Sequence, residues 1–384
     1  MSFVSKNVGA ALTQKSLLES FLRGLQVSIA VLGGGGTIIL LMAPMFAISN
    51  NGLIPFLVVA PLIFFGSALA HEMGHAVAAT LLKMTVLQLR VGPFQCAMLR
   101  NGARIRLRQQ QEIKRAHLSG YVIAIPSLHG SLRKQHVWSA LGGPLANLAI
   151  AALSAFIGYA LLPSAIAFVG FAIAWLNWTM AIGNLIPTKR LIESDGRRLL
   201  HWLRAKDYKI TPYQRVMALL IQGTRADELP CDVIEAVDSL PAPMPLVALY
   251  IRLQAHQNCA QWDAACAIEI DLERMLSEMS ETTAEAWSDF LTIVRTELAF
   301  SKAMRDRDGR HLSDSLLPRA TAWLVPYLRP RCVALHEGLA GNISARDRQF
   351  DLVMRHAKKS LDRSVVRSEA LLIEYIRASS TPSS

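Results

Sequence analysis

Four stretches approach or exceed the roughly 20 consecutive apolar residues that a helix needs to cross a bilayer, at about 24–48, 53–82, 137–161 and 164–187. The first two are joined by Ser49-Asn50-Asn51-Gly52 and the last two by a turn near Pro163, so both connections are short and uncharged. The third connection, 83–136, alternates Leu87, Leu89 and Val91 with Gln88 and Arg90, then Ile105 and Leu107 with Arg104, Arg106 and Arg108, around Asn101-Gly102. Period-two alternation about an Asn-Gly pair predicts a β-hairpin. From about 201 to 378 the pattern is helical, with breaks expected at Pro230, Pro241-Ala242-Pro243, Gly309 and Pro326 to Pro330. The stretches Ala248 to Ala265 and Ala334 to Phe350 suggest helix pairs stacked as an irregular solenoid, like tetratricopeptide repeats.

The fold class expected is therefore a polytopic α-helical membrane protein. About four transmembrane helices carry a short β-hairpin loop and are followed by an all-α cytoplasmic domain. The expected division is a cytoplasmic flank at 1–23, a transmembrane core at 24–200 with its hairpin loop at 83–136, a helical domain at 201–378, and a disordered tail at 379–384. Residues 1–23 read as a flank before an uncleaved anchor, because Lys6, Lys15, Glu19 and Arg23 are scattered among the apolar positions.

Charge sharpens this picture. Residues 1–188 hold only three acids, Glu19, Glu72 and Glu112, and nearly all of the formal net charge of +11 lies in that half. The 83–136 connection has ten Lys or Arg against one acid. Basic connections stay on the cytoplasmic side, which places the N-terminus, this loop and everything after 188 inside, and both uncharged turns outside. A basic balance can signal a nucleic-acid partner, but here the charges lie in loops between apolar segments, where orientation in a membrane accounts for them, so no nucleic-acid partner is expected. Five cysteines with no CxxC pair point to reduced thiols.

One motif carries chemistry. His71 and His75 are four residues apart, so on a helix they share a face and can offer two imidazoles to one ion, with Glu72 beside them. Zinc is the ion expected, as a Lewis acid that acidifies water, with a carboxylate to take the proton. The motif sits in the middle of an apolar span, where ionisable groups cost several kcal/mol unless partnered. Such a cluster reads as a functional site.

HEMGH in a membrane helix, Gly142-Gly143-Pro144-Leu145-Ala146-Asn147 in a later one, and Asn184-Leu185-Ile186-Pro187 followed by Ser194-Asp195-Gly196 resemble the site-2 protease family over about residues 55–200. The resemblance implies an intramembrane zinc metalloprotease acting on a membrane-spanning protein or peptide, for regulated release or peptide maturation. It implies His71, His75 and Asp195 as the ligands of Zn2+ and Glu72 as general base. The family usually has eight residues from the Asn of NxxP to the Asp, whereas Asn184 to Asp195 is eleven here. Glu193 therefore competes as third ligand, although Asp-Gly followed by Arg197-Arg198-Leu199-Leu200 fits a helix start better.

Asn147 and Asn184 are amides in apolar helices, read either as interhelical hydrogen bonds or as substrate-positioning groups. The loop's bland reading is a surface with arginines on lipid headgroups; the sharper one is an edge strand that holds substrate extended. Gly33 to Gly36 permits close packing or bending of the first span. The expected partners are the substrate, the lipid bilayer and a protein bound by the helical domain, and the expected location is a bacterial cytoplasmic membrane. An inactive membrane scaffold and a transporter are the competing functions; four spans without evident inverted repeats argue against the transporter.

Overall fold

The computed structural model describes residues 2–48, 52–107, 120–189, 193–205, 209–313 and 322–379. The expected tail lies outside these apart from Ser379. The chain divides into two compact units, one formed by residues up to 98 with 103–209, the other by 99–102 with 210–384.

The first unit is built on helices α1 (Ser2–Ile48), α2 (Leu53–Leu81), α3 (Leu132–Ala160) and α4 (Ile166–Leu185). Each contains a segment long and apolar enough to cross a membrane: Leu17–Ala47, Leu53–Leu81, Leu132–Ala160 and Ile166–Leu185. Leu17, Leu18 and Phe21 of α1 present exposed apolar side chains ahead of the expected start near 24. Exposed Leu, Ile and Phe run along all four helices, as lipid contact requires, and small residues fill the interfaces. At the crossing of α2 and α3, Gly74 lies against the Gly142 carbonyl and the Ala146 side chain, while Gly142 lies against the Gly74 carbonyl. A side chain at either would wedge the helices apart. Part of the glycine run serves the same end: Gly33 abuts Thr179 and Gly36 abuts Trp175, whose indole N–H donates to the Leu32 carbonyl at 3.0 Å.

Between α2 and α3 lies an antiparallel sheet of β1 (Thr85–Val91), β2 (Phe94–Leu99), β3 (Gly102–Leu107) and β4 (Tyr121–Ile125), in the order β3-β2-β1-β4. The Asn101-Gly102 turn is present, with Gly102 at φ 111°, but the sheet is larger than the expected hairpin. β1 pairs with β2 through Leu89 opposite Cys96 and with β4 through Leu89 opposite Val122. A central strand buried on both sides recruits two neighbours whose own patterns, FQCAML and YVIAI, do not alternate. The face of β1 that carries Val86, Leu89 and Val91 packs with Ala76, Ala79 and Met84 at the end of α2. A short helix, α5 (Asp195–Arg204), follows α4 and returns to α3, where Trp202 stacks on His136 at 4.0 Å.

From 210 onward the second unit is helical among the described residues: α6 (Pro212–Gln222), a 3-10 turn (Ala226–Glu228), α7 (Cys231–Asp238), α8 (Met244–Asn258), α9 (Trp262–Glu278), α10 (Glu281–Ala286), α11 (Ser288–Asp306), α12 (Arg310–Ser313), α13 (Leu328–Leu339), α14 (Ile343–Lys359) and α15 (Ser364–Ser379). Pro230, Pro243 and Gly309 each stand at a helix boundary as expected. Pro330 does not break a helix: it lies in the first turn of α13, where its missing N–H has no intrahelical partner to lose. Neighbouring helices pair in sequence, α8 with α9 and α13 with α14.

At the centre of this unit Arg331 is 2% exposed and lies between Glu297 and Glu369, pairing with Glu369 at 2.6 Å, while the Gln257 amide donates to Glu297 and to Ser301. One guanidinium faces two buried carboxylates. Burial, reinforced by the Glu297 charge, pushes the Glu369 carboxyl up to about 7, against the opposing pull of Arg331. A folded value above the unfolded one means that the contribution to stability is full below about 4.5 and is lost as pH rises through about 7. That loss is on the order of 3 kcal/mol. Hydrogen exchange in 328–339 and 364–376, corrected for the intrinsic rate, is expected to be more protected at pH 5.5 than at 7.5. Equal protection would remove Glu369 as the titrating group.

Candidate metal centre

α2 places His71 and His75 one turn apart, and all three of His71, Glu72 and His75 are buried. Their Nε2 atoms lie 3.2 Å apart. Asp195 Oδ2 lies 3.1 Å from His71 Nε2 and 3.3 Å from His75 Nε2. The three donors thus form a nearly equilateral triangle. A tetrahedral ion bound at about 2.0–2.1 Å separates its ligand atoms by about 3.3–3.4 Å, so this triangle is close to one face of such a tetrahedron.

The tautomer of His75 supports the fit. Its Nδ1 lies 2.6 Å from the Ser139 carbonyl, which can only accept, so the proton belongs on Nδ1 and the Nε2 lone pair turns toward Asp195 and His71. The Gly143 amide also lies 3.2 Å from Nδ1, but that N–H belongs to the helical ladder of α3 and the shorter contact decides. An imidazole lone pair and a carboxylate oxygen converging at 3.3 Å repel unless a cation or shared proton stands between them. A backbone carbonyl behind a ligating histidine is a common support of metal sites.

α3 presents glycine where a side chain would enter this space. A Cβ on Gly143 would meet His75 Nε2 and the ring of His71. The Gly-Gly pair therefore has two physical jobs, Gly142 for helix approach and Gly143 for the imidazoles. Gly120, just before β4, lies against the Glu72 carboxylate, so the sheet holds that side chain from the other side.

The long connection to Asp195 closes on itself. α4 ends at Leu185, and Ile186 turns to extended backbone. The Ser194 amide donates to the Thr188 carbonyl at 3.2 Å, and Lys189 bridges Glu193, so the described residues on either side of 190–192 are held together. Ser194 then caps α5, accepting from the Arg197 amide, and donates to the Ile186 carbonyl at 2.7 Å. Asp195 is the first residue of α5. Gly196 follows because a Cβ there would run into the Leu185 carbonyl. Glu193 is brought elsewhere: its carboxylate accepts from Arg197 Nε at 3.0 Å and is largely exposed.

The two asparagines part company. Asn147 is fully buried on α3, one turn beyond Gly143 on the same face, and neither its amide nitrogen nor its oxygen has a partner among the described residues. Asn184 lies in the wall of a cavity of about 560 Å³ formed by α1 and α4 with Phe64 of α2. A third amide, Asn177, takes the interhelical role, donating to Ser67 Oγ on α2 at 2.9 Å. Sequence reading passed over Asn177 and Ser139, and quoted Ser194 in a motif without giving its hydroxyl a role.

Residues 59–164 match the model of peptidase family M50. This is the site-2 protease family that the three motifs resemble. The M50 match takes in α2 from Val59, the sheet and α3. It ends before α4, so Asp195 joins the pair of histidines by geometry alone. The cluster of His71, His75 and Asp195 could hold a metal ion. No curated relative and no solved structure matches the chain.

Proposed function

We propose that this chain is a zinc-dependent intramembrane protease that hydrolyses a peptide bond of a membrane-spanning substrate. The observation that carries the reading is the triangle of His71 Nε2, His75 Nε2 and Asp195 Oδ2, with edges of 3.1–3.3 Å, inside a bundle of apolar helices. The ligands in this reading are His71, His75 and Asp195. Zinc would supply a Lewis acid that polarises the scissile carbonyl and makes water acidic enough to attack near neutral pH. Glu72 takes the proton of the attacking water and returns it to the leaving amine. Ser139 holds the His75 ring in the tautomer that presents Nε2, and Gly143 keeps the space beside both rings open.

Substrate contacts are assigned to the two unabsorbed amides. Asn147, with both polar atoms unpartnered among the described residues, is suited to bind an unwound peptide backbone, because buried amides without partners cost about 1–3 kcal/mol until something pairs with them. Asn184 offers its amide from the cavity wall between α1 and α4. The edge strand β4, next to Gly120 and Glu72, is suited to take substrate as an added strand.

Stripping the purified protein with a chelator is expected to reduce cleavage of a membrane-spanning reporter to background, and added zinc to restore it. Full cleavage by metal-free protein would end the zinc reading. The orientation proposed places the sheet and the helical unit on the cytoplasmic side, since the basic residues of 83–136 lie there. Reporters at Gly102 and at the C-terminus should then be inside and one at Pro163 outside. An external Gly102 would invert the topology.

A further inference from the structure

We propose that Gln26 of α1 is a positioning residue that fixes where Asp195 stands, an inference that rests on Asp195 being the third ligand. Helix α4 is broken by Pro187, which has no N–H. In an unbroken helix that N–H would have bonded the Gly183 carbonyl, four residues earlier. Gln26 Nε2 donates to this same carbonyl at 3.0 Å. Its other end, Oε1, accepts from the Thr188 hydroxyl at 2.9 Å. One side chain from the first helix therefore satisfies the carbonyl orphaned by the break and grips the residue that follows it.

The grip continues to the ligand by direct bonds. The Thr188 amide donates to Ser194 Oγ at 2.9 Å, and the Ser194 amide donates back to the Thr188 carbonyl. Ser194 is bonded to Ile186 and caps α5, whose first residue is Asp195. Two further contacts hold the same loop to α1: Arg23 donates to the Lys189 carbonyl at 2.9 Å, and Glu19 pairs with Arg197 at 3.5 Å. Backbone groups left open at membrane depth are expensive. The first helix, which lies outside the matched family segment, thus helps to set the geometry of the metal centre.

The test uses the full-length protein in detergent and a chromophoric chelator competing for zinc. Gln26→Met keeps length and removes both bonds, while Thr188→Val keeps shape and removes the hydroxyl. Each is expected to weaken zinc affinity by about 10–100-fold, the range found when groups supporting a ligand are removed. Reporter kcat at limiting zinc should fall in step with the lost occupancy and recover at saturating zinc. The double variant should be scarcely worse than Gln26→Met, because both act through one chain of bonds. Ser28→Ala, exposed on the same helix, should match wild type.

Wild-type zinc affinity in folded Gln26→Met and Thr188→Val would overturn the inference, as would lowered thermal stability with affinity unchanged. If Gln26→Met does not fold, Thr188→Val decides alone. Asp195→Ala separates the two levels. Wild-type affinity in that variant would overturn the ligand reading itself, whereas loss there with none in the Gln26 and Thr188 variants would overturn only the role of Gln26.

Discussion

Glu72→Gln is expected to keep the fold and the zinc content of the wild type while lowering cleavage of a membrane-spanning reporter by about a thousandfold or more. The amide has the size of the carboxylate and fits against Gly120, so nothing in the packing of α2 on the sheet need change. It cannot accept the proton of the attacking water, and a positioned general base contributes about 10²–10⁴-fold. Glu72 is outside the triangle of His71, His75 and Asp195, which predicts that the ion is retained. The combination discriminates between roles. Loss of zinc together with activity would make Glu72 a ligand or a structural support, and activity within tenfold of wild type would remove it as the base.

Much of this arrangement was legible in the chain because membranes restrict the possibilities. Four apolar runs and one basic loop lead to four spanning helices, and HExxH within the second has few physical excuses at that depth. The sheet was only half legible. Alternation reveals strands with one wet face, such as Arg104 to Leu107, but β2 and β4 are held by pairing with β1 and carry no such signature. The proposed site was legible in the three side chains that meet there and opaque in their supports. Ser139 acts through its carbonyl, which every residue has, and Gln26 lies far from the metal motif in sequence, so only tertiary structure shows that it serves the break at Pro187. The helical unit shows the reverse limit: its breaks were visible as prolines and glycines, yet the burial of Arg331 between Glu297 and Glu369 depends on three helices and no local pattern.

The largest effect on metal content is expected at Asp195, and the comparison with Glu193 makes it decisive. Two imidazoles leave a catalytic zinc one protein ligand short, and both acids follow the broken end of α4. Their surroundings separate them: the bond between Ser194 and Thr188 leads into α5, at whose start Asp195 is buried, while Glu193 is exposed and engaged with Arg197. Asp195→Ala is therefore expected to reduce zinc per purified protein severely, and cleavage to background. It also leaves His71 and His75 facing one another without the carboxylate. Glu193→Ala removes one exposed ion pair, worth about 0–1 kcal/mol, and both zinc and turnover should stay near wild type. The opposite ranking would move the ligand to Glu193. Equal retention in the two variants would place the third ligand elsewhere and leave the buried Asp195 as a helix-start carboxylate, favoured there by the α5 dipole alone.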